Sequence, residues 1–291
     1  MFVRHWKSAV MLTILSFFIF KIPMDQMKPA ETAMDSITSK SIKLPIIMYH
    51  SILNDTKKRD TYVSTAGSLK SDLTYLKNHG FKTVVIQDLI DYVNGEGSLP
   101  EKPVMITFDD GHYNNLYYVL PMLEEMDMKA VISIVGKYAD AYTQRPDPNP
   151  NYAYLSWSEI KQLQDSGRFE IQNHSYAMHT LSDRRGSQRK EGESEVSYCL
   201  MFNEDALKQQ TLMLDHCGVT PTAFVYPFGL VCPEAQDCLK QMKFSASLTC
   251  VEQINLIQKG NPDCLFNLGR FNRPGKTTTA AFMNKLLKHL R

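Results

Sequence analysis

The chain has 291 residues, 43% apolar and 22% charged, which excludes disorder over its whole length and allows one large α/β domain or two small ones. Lys plus Arg number 32 against 31 Asp plus Glu, a net charge of +1. That balance argues against nucleic acid, whose binders carry a basic excess, and suits a neutral polymer.

Taken from the N-terminus, Arg4, His5 and Lys7 precede an apolar run from Ala9 to Phe20 closed by Lys21. Residues 1–23 therefore read as a signal peptide or a retained N-terminal membrane anchor, the run being short for a full bilayer span. Either places the rest of the chain outside the cytoplasm. Residues 24–43 are rich in Lys, Ser, Thr, Asp and Glu and read as a linker, leaving 44–291 as the folded domain. From there strand-like and helix-like segments alternate. LPIIMYH at 44–50 is an apolar run. Ser68–His79 has helical spacing, with Leu69, Leu73, Tyr75 and Leu76 apolar and Gly80 as a stop. Lys82–Ile86 and Val104–Phe108 read as strands, Tyr113–Met126 as a helix, Ala130–Val135 as a strand and Asp140–Asn151, with three prolines, as a loop. Ser156–Ser166 is a helix with a good N-cap, Phe169–Gln172 a strand, Asp183–Ser197 a long polar loop and Glu204–Cys217 a helix. Thr222–Tyr226 and Ser245–Thr249 are strands with a helix from Pro233 between them.

Alternating β and α segments with β-branched strands imply a mostly parallel sheet covered by helices. A (β/α) barrel fits better than an open sheet, because His50, Asp109-Asp110, His174 and Tyr226-Pro227 all fall at the C-terminal ends of strands, where barrel enzymes place their sites.

Two motifs carry chemistry. In Thr107-Phe108-Asp109-Asp110-Gly111, two adjacent carboxylates end a buried strand. Successive side chains alternate faces, so both reach one site only if the chain turns there, which Gly111 permits. Two carboxylates this close need different roles: one compensated by a cation, the other free to act as a base. The plain alternative is a solvated Asp-Asp-Gly turn. In Asn173-His174-Ser175-Tyr176-Ala177-Met178-His179, two histidines lie five apart, off register for one helix face but able to converge from a loop. Two imidazoles and one carboxylate make a three-ligand site with open positions, which suits catalytic zinc and would also accept other divalent metals such as cobalt or nickel. Two unrelated surface histidines are the alternative here. The six cysteines, at 199, 217, 232, 238, 250 and 264, permit disulfides or free thiols alike.

Taken together, IIMYHS at 46–51, TFDDG at 107–111, NHSYAMH at 173–179, YPFG at 226–229 and LGRFNRP at 268–274 resemble the NodB-type polysaccharide deacetylases (carbohydrate esterase family 4), in the family's order and over about 44–285. The resemblance implies a distorted (β/α) barrel and metal-dependent removal of N-acetyl groups from an amino-sugar polysaccharide; a monomer is expected. It implies Asp109 as catalytic base, Asp110, His174 and His179 as metal ligands, and a backbone N–H at Tyr226, beside Pro227 and Phe228, for the oxyanion. The five-residue histidine spacing is similar to that of the poly-N-acetylglucosamine deacetylases; peptidoglycan is the other polymer considered. The family's arginine before YPFG is Val225 here, so Arg270 is the candidate to hold Asp109. The family's late Leu-x-His is missing, so His50 is the candidate general acid rather than His289. Of the aromatics, Tyr176 and Phe228 neighbour the chemistry and are the candidates for sugar stacking, ahead of Tyr113, Tyr117, Tyr118 and Trp157. Two rival readings are a glycoside hydrolase and a non-catalytic polysaccharide-binding relative.

Overall fold

The computed structural model describes residues 41–291. The stretch expected to be a signal peptide or anchor, 1–23, and nearly all of the expected linker lie outside the described residues. In chain order the elements are β1 (Ile42–Leu44), β2 (Ile46–Tyr49), β3 (Ser51–Leu53), β4 (Val63–Thr65), α1 (Ala66–Asn78), β5 (Lys82–Thr83), α2 (Ile86–Asn94), β6 (Pro103–Phe108), a π-helical turn (Asn115–Val119) running into α3 (Leu120–Met126), β7 (Ala130–Ile134), α4 (Gly136–Gln144), α5 (Trp157–Asp165), β8 (Phe169–Asn173), α6 (Glu195–Cys217), β9 (Ala223–Val225), α7 (Pro233–Gln241), β10 (Ala246–Leu248), β11 (Asn255–Ile257), β12 (Phe271–Asn272) and α8 (Thr279–Leu290).

The main sheet runs β10-β9-β8-β7-β6-β2-β12, with β5 also on β6, and every pairing in it is parallel. The sheet curls until its ends meet: Leu268, just before β12, bridges Leu248 of β10 in parallel. This is the (β/α) barrel expected from the alternating pattern, with the distortion that the family resemblance implies. Strand parity sorts its side chains. Ile46, Met105, Val131, Val225, Leu248 and Leu268 share one core with Ile86, Leu89 and Val93 of α2. The alternate residues Ile47, Ile106, Ile132 and Ile171 pack instead with Leu69 of α1, Leu123 of α3, Ile160 of α5 and Phe282 of α8. Continuing the first parity two residues at a time leads from Met105 through Thr107 to Asp109, so the site grows out of the same face as the apolar interior.

Local chemistry sets several element ends. Ser156 and Glu159 form a capping box on α5, Thr65 caps α1, and Gly218, at φ 71°, ends α6. Four expectations are corrected. The strand at 82–86 stops at Thr83, because Ile86, Leu89 and Val93 fall at helical spacing and bury together. That helix receives its cap from elsewhere: Glu170 of β8 accepts the N–H groups of Ile86 and Gln87, both at 3.0 Å. The helix expected from Tyr113 begins at Asn115 and as a π turn. The loop expected at 140–151 is helical through Gln144, with Asp140 accepting from Trp157 Nε1 at 2.8 Å. Helix α6 starts at Glu195 rather than Glu204, so the loop before it is shorter; Ser194 caps it, and Tyr198 and Phe202 bury in the added turns. All six cysteines are free thiols. Among the described residues, no helix is long and apolar enough to cross a membrane.

Candidate active site at the C-terminal mouth of the barrel

Asp109 leaves β6 on the inner face and is buried. Arg270 grips it with both ends of its guanidinium, Nη1 to Oδ1 and Nη2 to Oδ2, each at 2.8 Å. Ser133 of β7 donates to Oδ1 at 2.9 Å, and Arg270 is itself fixed by Thr249 O at 2.9 Å. Burial works to raise the Asp109 carboxyl, but the charges of Arg270, His174 and His50 outweigh it and hold the group at about 2. The arginine lacking at Val225 is thus replaced in space, 45 residues later in the chain (270 against 225).

The chain turns at Asp110 itself, in the left-handed region at φ 72°, and Gly111 follows at φ 77°. This turn brings the second carboxylate back to the first one's face. Asp110 Oδ1 lies 3.4 Å from His174 Nε2 and 3.0 Å from His179 Nε2. These three residues form the only set of its kind among the described residues, their donor atoms within 4.8 Å of one another. The buried Asp110 Oδ1 has no hydrogen-bond partner, as expected of an oxygen placed for a cation. His174 Nδ1 sits 2.8 Å from Val225 O, which turns Nε2 toward Asp110, the usual way a ligating imidazole is oriented. The residues therefore fit a divalent cation by donor chemistry and by orientation. Asp110 is held well below the usual carboxylate range: burial opposes this, but the neighbouring His112, His174 and His179 imidazoles prevail.

The five-residue histidine spacing works because the chain between them is tied down. Asn173 accepts from Ser175 N at 2.8 Å, and Ser175 takes φ 70°. Asp205 of α6 accepts the N–H groups of Tyr176 and Ala177 at 2.7 and 2.8 Å. Of the six left-handed non-glycine residues among the described residues, Asp110, Ser175 and Phe228 belong to the motifs that build this site, while Asp127, Lys243 and Asn267 do not.

A cavity of about 850 Å³ opens over these groups, lined among others by His50, Tyr62, Asp109, His112 and Phe228. His50 Nε2 is 3.8 Å from Asp109 Oδ2; burial lowers its imidazole from the ordinary value, against the opposing pull of Asp109 and Asp110. Phe228 is exposed at the rim, its ring 4.4 Å from that of His179. Its turn needs Gly229, where a Cβ would come within 2.6 Å of Cys250 Cβ.

Two site expectations are corrected. The N–H of Tyr226 is bonded to Leu248 O at 3.0 Å and its side chain is buried, so its backbone has no donor left for an oxyanion; Pro227 is buried beside it and has no N–H. Tyr176 points away from the cavity, with its hydroxyl 3.0 Å from Asp140 and Lys208 Nζ 3.5 Å above its ring. Trp157 is core, and His289 packs on Phe271 instead of reaching the cavity. The sequence reading missed Ser133, Asp205, Tyr138, whose hydroxyl is 3.5 Å from His179 Nδ1, and His112, which lies 3.6 Å from Asp110 Oδ2 and stacks on Tyr154. Of these only His112 carried a visible signal, as a histidine beside the Asp-Asp-Gly turn.

A parallel barrel with a three-donor set and an ion-paired carboxylate at its C-terminal mouth has the layout of a barrel enzyme. The chain belongs to the polysaccharide deacetylase family, whose profile matches residues 96–247. Among curated relatives, it is 22% identical over 222 residues to the poly-beta-1,6-N-acetyl-D-glucosamine N-deacetylase of Escherichia coli K12, covering 70% of this chain and 33% of that protein. It is 23% identical over 201 residues to the protein of that name from Staphylococcus epidermidis, covering 69% and 65%. The chain thus spans a third of the first relative's length and just under two thirds of the second's. Among solved structures, a de-N-acetylase from Aggregatibacter actinomycetemcomitans shares the fold with a TM-score of 0.70 at 23% identity, over 83% of this chain and 99% of that one. IcaB from Ammonifex degensii does so with 0.67 at 23%, over 86% and 98%.

Proposed function

We propose that this chain hydrolyses N-acetyl groups on an N-acetylglucosamine-containing polysaccharide, outside the cytoplasm, releasing acetate. One observation carries this reading. A buried carboxylate kept ionised by Arg270 adjoins the Asp110, His174 and His179 donor set, on the floor of an open cavity. The names of the relatives support poly-N-acetylglucosamine as the polymer, with peptidoglycan as the alternative.

Asp110, His174 and His179 would hold a divalent cation, zinc by donor type, with cobalt or nickel also accommodated; when bound it supplies Lewis acidity and lowers the pKa of water. Asp109 is the base. Arg270 and Ser133 fix its orientation, and it takes a proton as water attacks the acetamide carbon. His50, 3.8 Å away, receives that proton on its imidazole and passes it to the leaving nitrogen. Because Pro227 has no N–H, the first amide after β9 free to face the developing oxyanion is that of Phe228, and one such donor is worth about 3–4 kcal/mol. The exposed Phe228 ring offers a face for the sugar.

The test is acetate release from N-acetylglucosamine oligomers by the full chain, before and after chelation and with zinc or cobalt restored. Release that stops with chelator and returns with metal is expected. Glycan bound tightly with no acetate released would move the reading to a binding protein, and shortened oligomers to a glycoside hydrolase.

A further inference from the structure

The six thiols are not equivalently placed. Cys217 lies against Trp157 O at 3.8 Å, Cys250 beside Arg270, Cys264 against Gln258 N at 3.4 Å and Cys232 against Ser187 O at 4.0 Å. Cys199 of α6 and Cys238 of α7 instead face each other, Sγ to Sγ at 2.7 Å. That is about 0.7 Å longer than a disulfide bond and closer than two unbonded sulfurs rest. The helices that carry them are packed in one cluster with Tyr198, Phe202, Ala235 and Leu239, so the approach is set by the fold and not by two free side chains.

We propose that Cys199 and Cys238 are a disulfide-forming pair that closes when the folded chain meets a small-molecule or protein disulfide as oxidant. Cys199 is half-buried and Cys238 buried. Burial pushes the Cys238 thiol up to about 12, so Cys199 meets the oxidant first. Its thiolate attacks one sulfur of the oxidant, forming a mixed disulfide and releasing one thiol. Cys238 then gives up its proton and displaces the second thiol, forming the Cys199–Cys238 bond. The two cysteine sulfurs are oxidised and one oxidant disulfide is reduced to two thiols. The bond fastens α6, which carries Asp205 and with it the loop between His174 and His179, to α7, which follows the Phe228 turn.

The inference rests on the thiol geometry and not on the deacetylase reading, and its test needs no substrate. The folded full chain is equilibrated with oxidised glutathione, then denatured and alkylated, and its peptides are mapped by mass. The expected result is four alkylated cysteines, two fewer than the six free thiols, a peptide cross-linked through Cys199 and Cys238, and a Tm raised by about 5–15 °C over the reduced form. Cys199→Ser should leave all five remaining cysteines alkylated, whereas Cys238→Ser should trap Cys199 as its glutathione adduct and leave four alkylated. Six alkylated cysteines in the native chain, glutathione adducts without the cross-link, or a cross-link to Cys232 instead would each overturn it.

Discussion

Asp109 shows how one side chain's setting decides what it can do. Its carboxyl is ionised at any ordinary pH because Arg270 holds it at about 2, so its own protonation should not limit activity in mild acid. Asp109→Asn should lower turnover by about 10²- to 10⁴-fold yet keep the cation, measured by acetate release beside metal analysis; loss of metal in that variant would contradict its assignment as base. Arg270→Met should raise the Asp109 carboxyl toward and past its ordinary value, moving the acid limb of kcat/KM to higher pH. It should also cost about 3–5 kcal/mol at neutral pH by leaving a buried charge alone. The sign of the linkage is that of a depressed carboxylate: the stability from this pair is present above the unfolded value of about 3.9 and is lost as pH falls toward 2. An unchanged acid limb in the variant would show that Arg270 does not govern the base.

Among the elements, α6 matters to the site without entering it. Asp205 holds the two amides between His174 and His179, so Asp205→Ala should weaken metal binding by about 10- to 100-fold while circular dichroism stays unchanged; equal affinity would reduce Asp205 to a structural cap. A second buried pair locks the end of the chain. Arg273, just past β12, donates to Asp72 of α1 at 2.7 and 3.2 Å, and Tyr49 donates to the same carboxylate at 2.8 Å. Arg273→Ala strands that carboxylate, and urea unfolding should show a loss of about 3–5 kcal/mol. Both pairs join residues more than 100 positions apart, so neither could be found from a local window.

For the whole molecule, the curl of the sheet is what turns four separate motifs into one mouth: β6 delivers Asp109 and Asp110, β8 delivers His174, β2 delivers His50, and the strand-end stretch after Leu268 delivers Arg270. A cation shared by β6 and the loop after β8 binds only the folded state. At 100 times its Kd it should add about 2.7 kcal/mol, and chelation should lower Tm by about 5–10 °C. A Tm indifferent to chelator would argue that the donor set holds no ion.

The sequence by itself determined the alternation of strands and helices and the placement of the acidic and histidine motifs at strand ends, because hydrophobic period, turn residues and motif order are local and survive as a string; Arg270 entered only as a candidate suggested by the family resemblance. Tertiary structure alone decided which face each residue reached. The N–H of Tyr226, expected to serve an oxyanion, is used by the neighbouring strand β10. Tyr176, a sugar platform by its place in the motif, is turned outward by the tether to Asp205 and the contact with Asp140. Ser133 and Asp205 gave no signal at all, since a serine in an apolar strand and an aspartate in a helix become site residues only through partners brought beside them by the closing of the barrel.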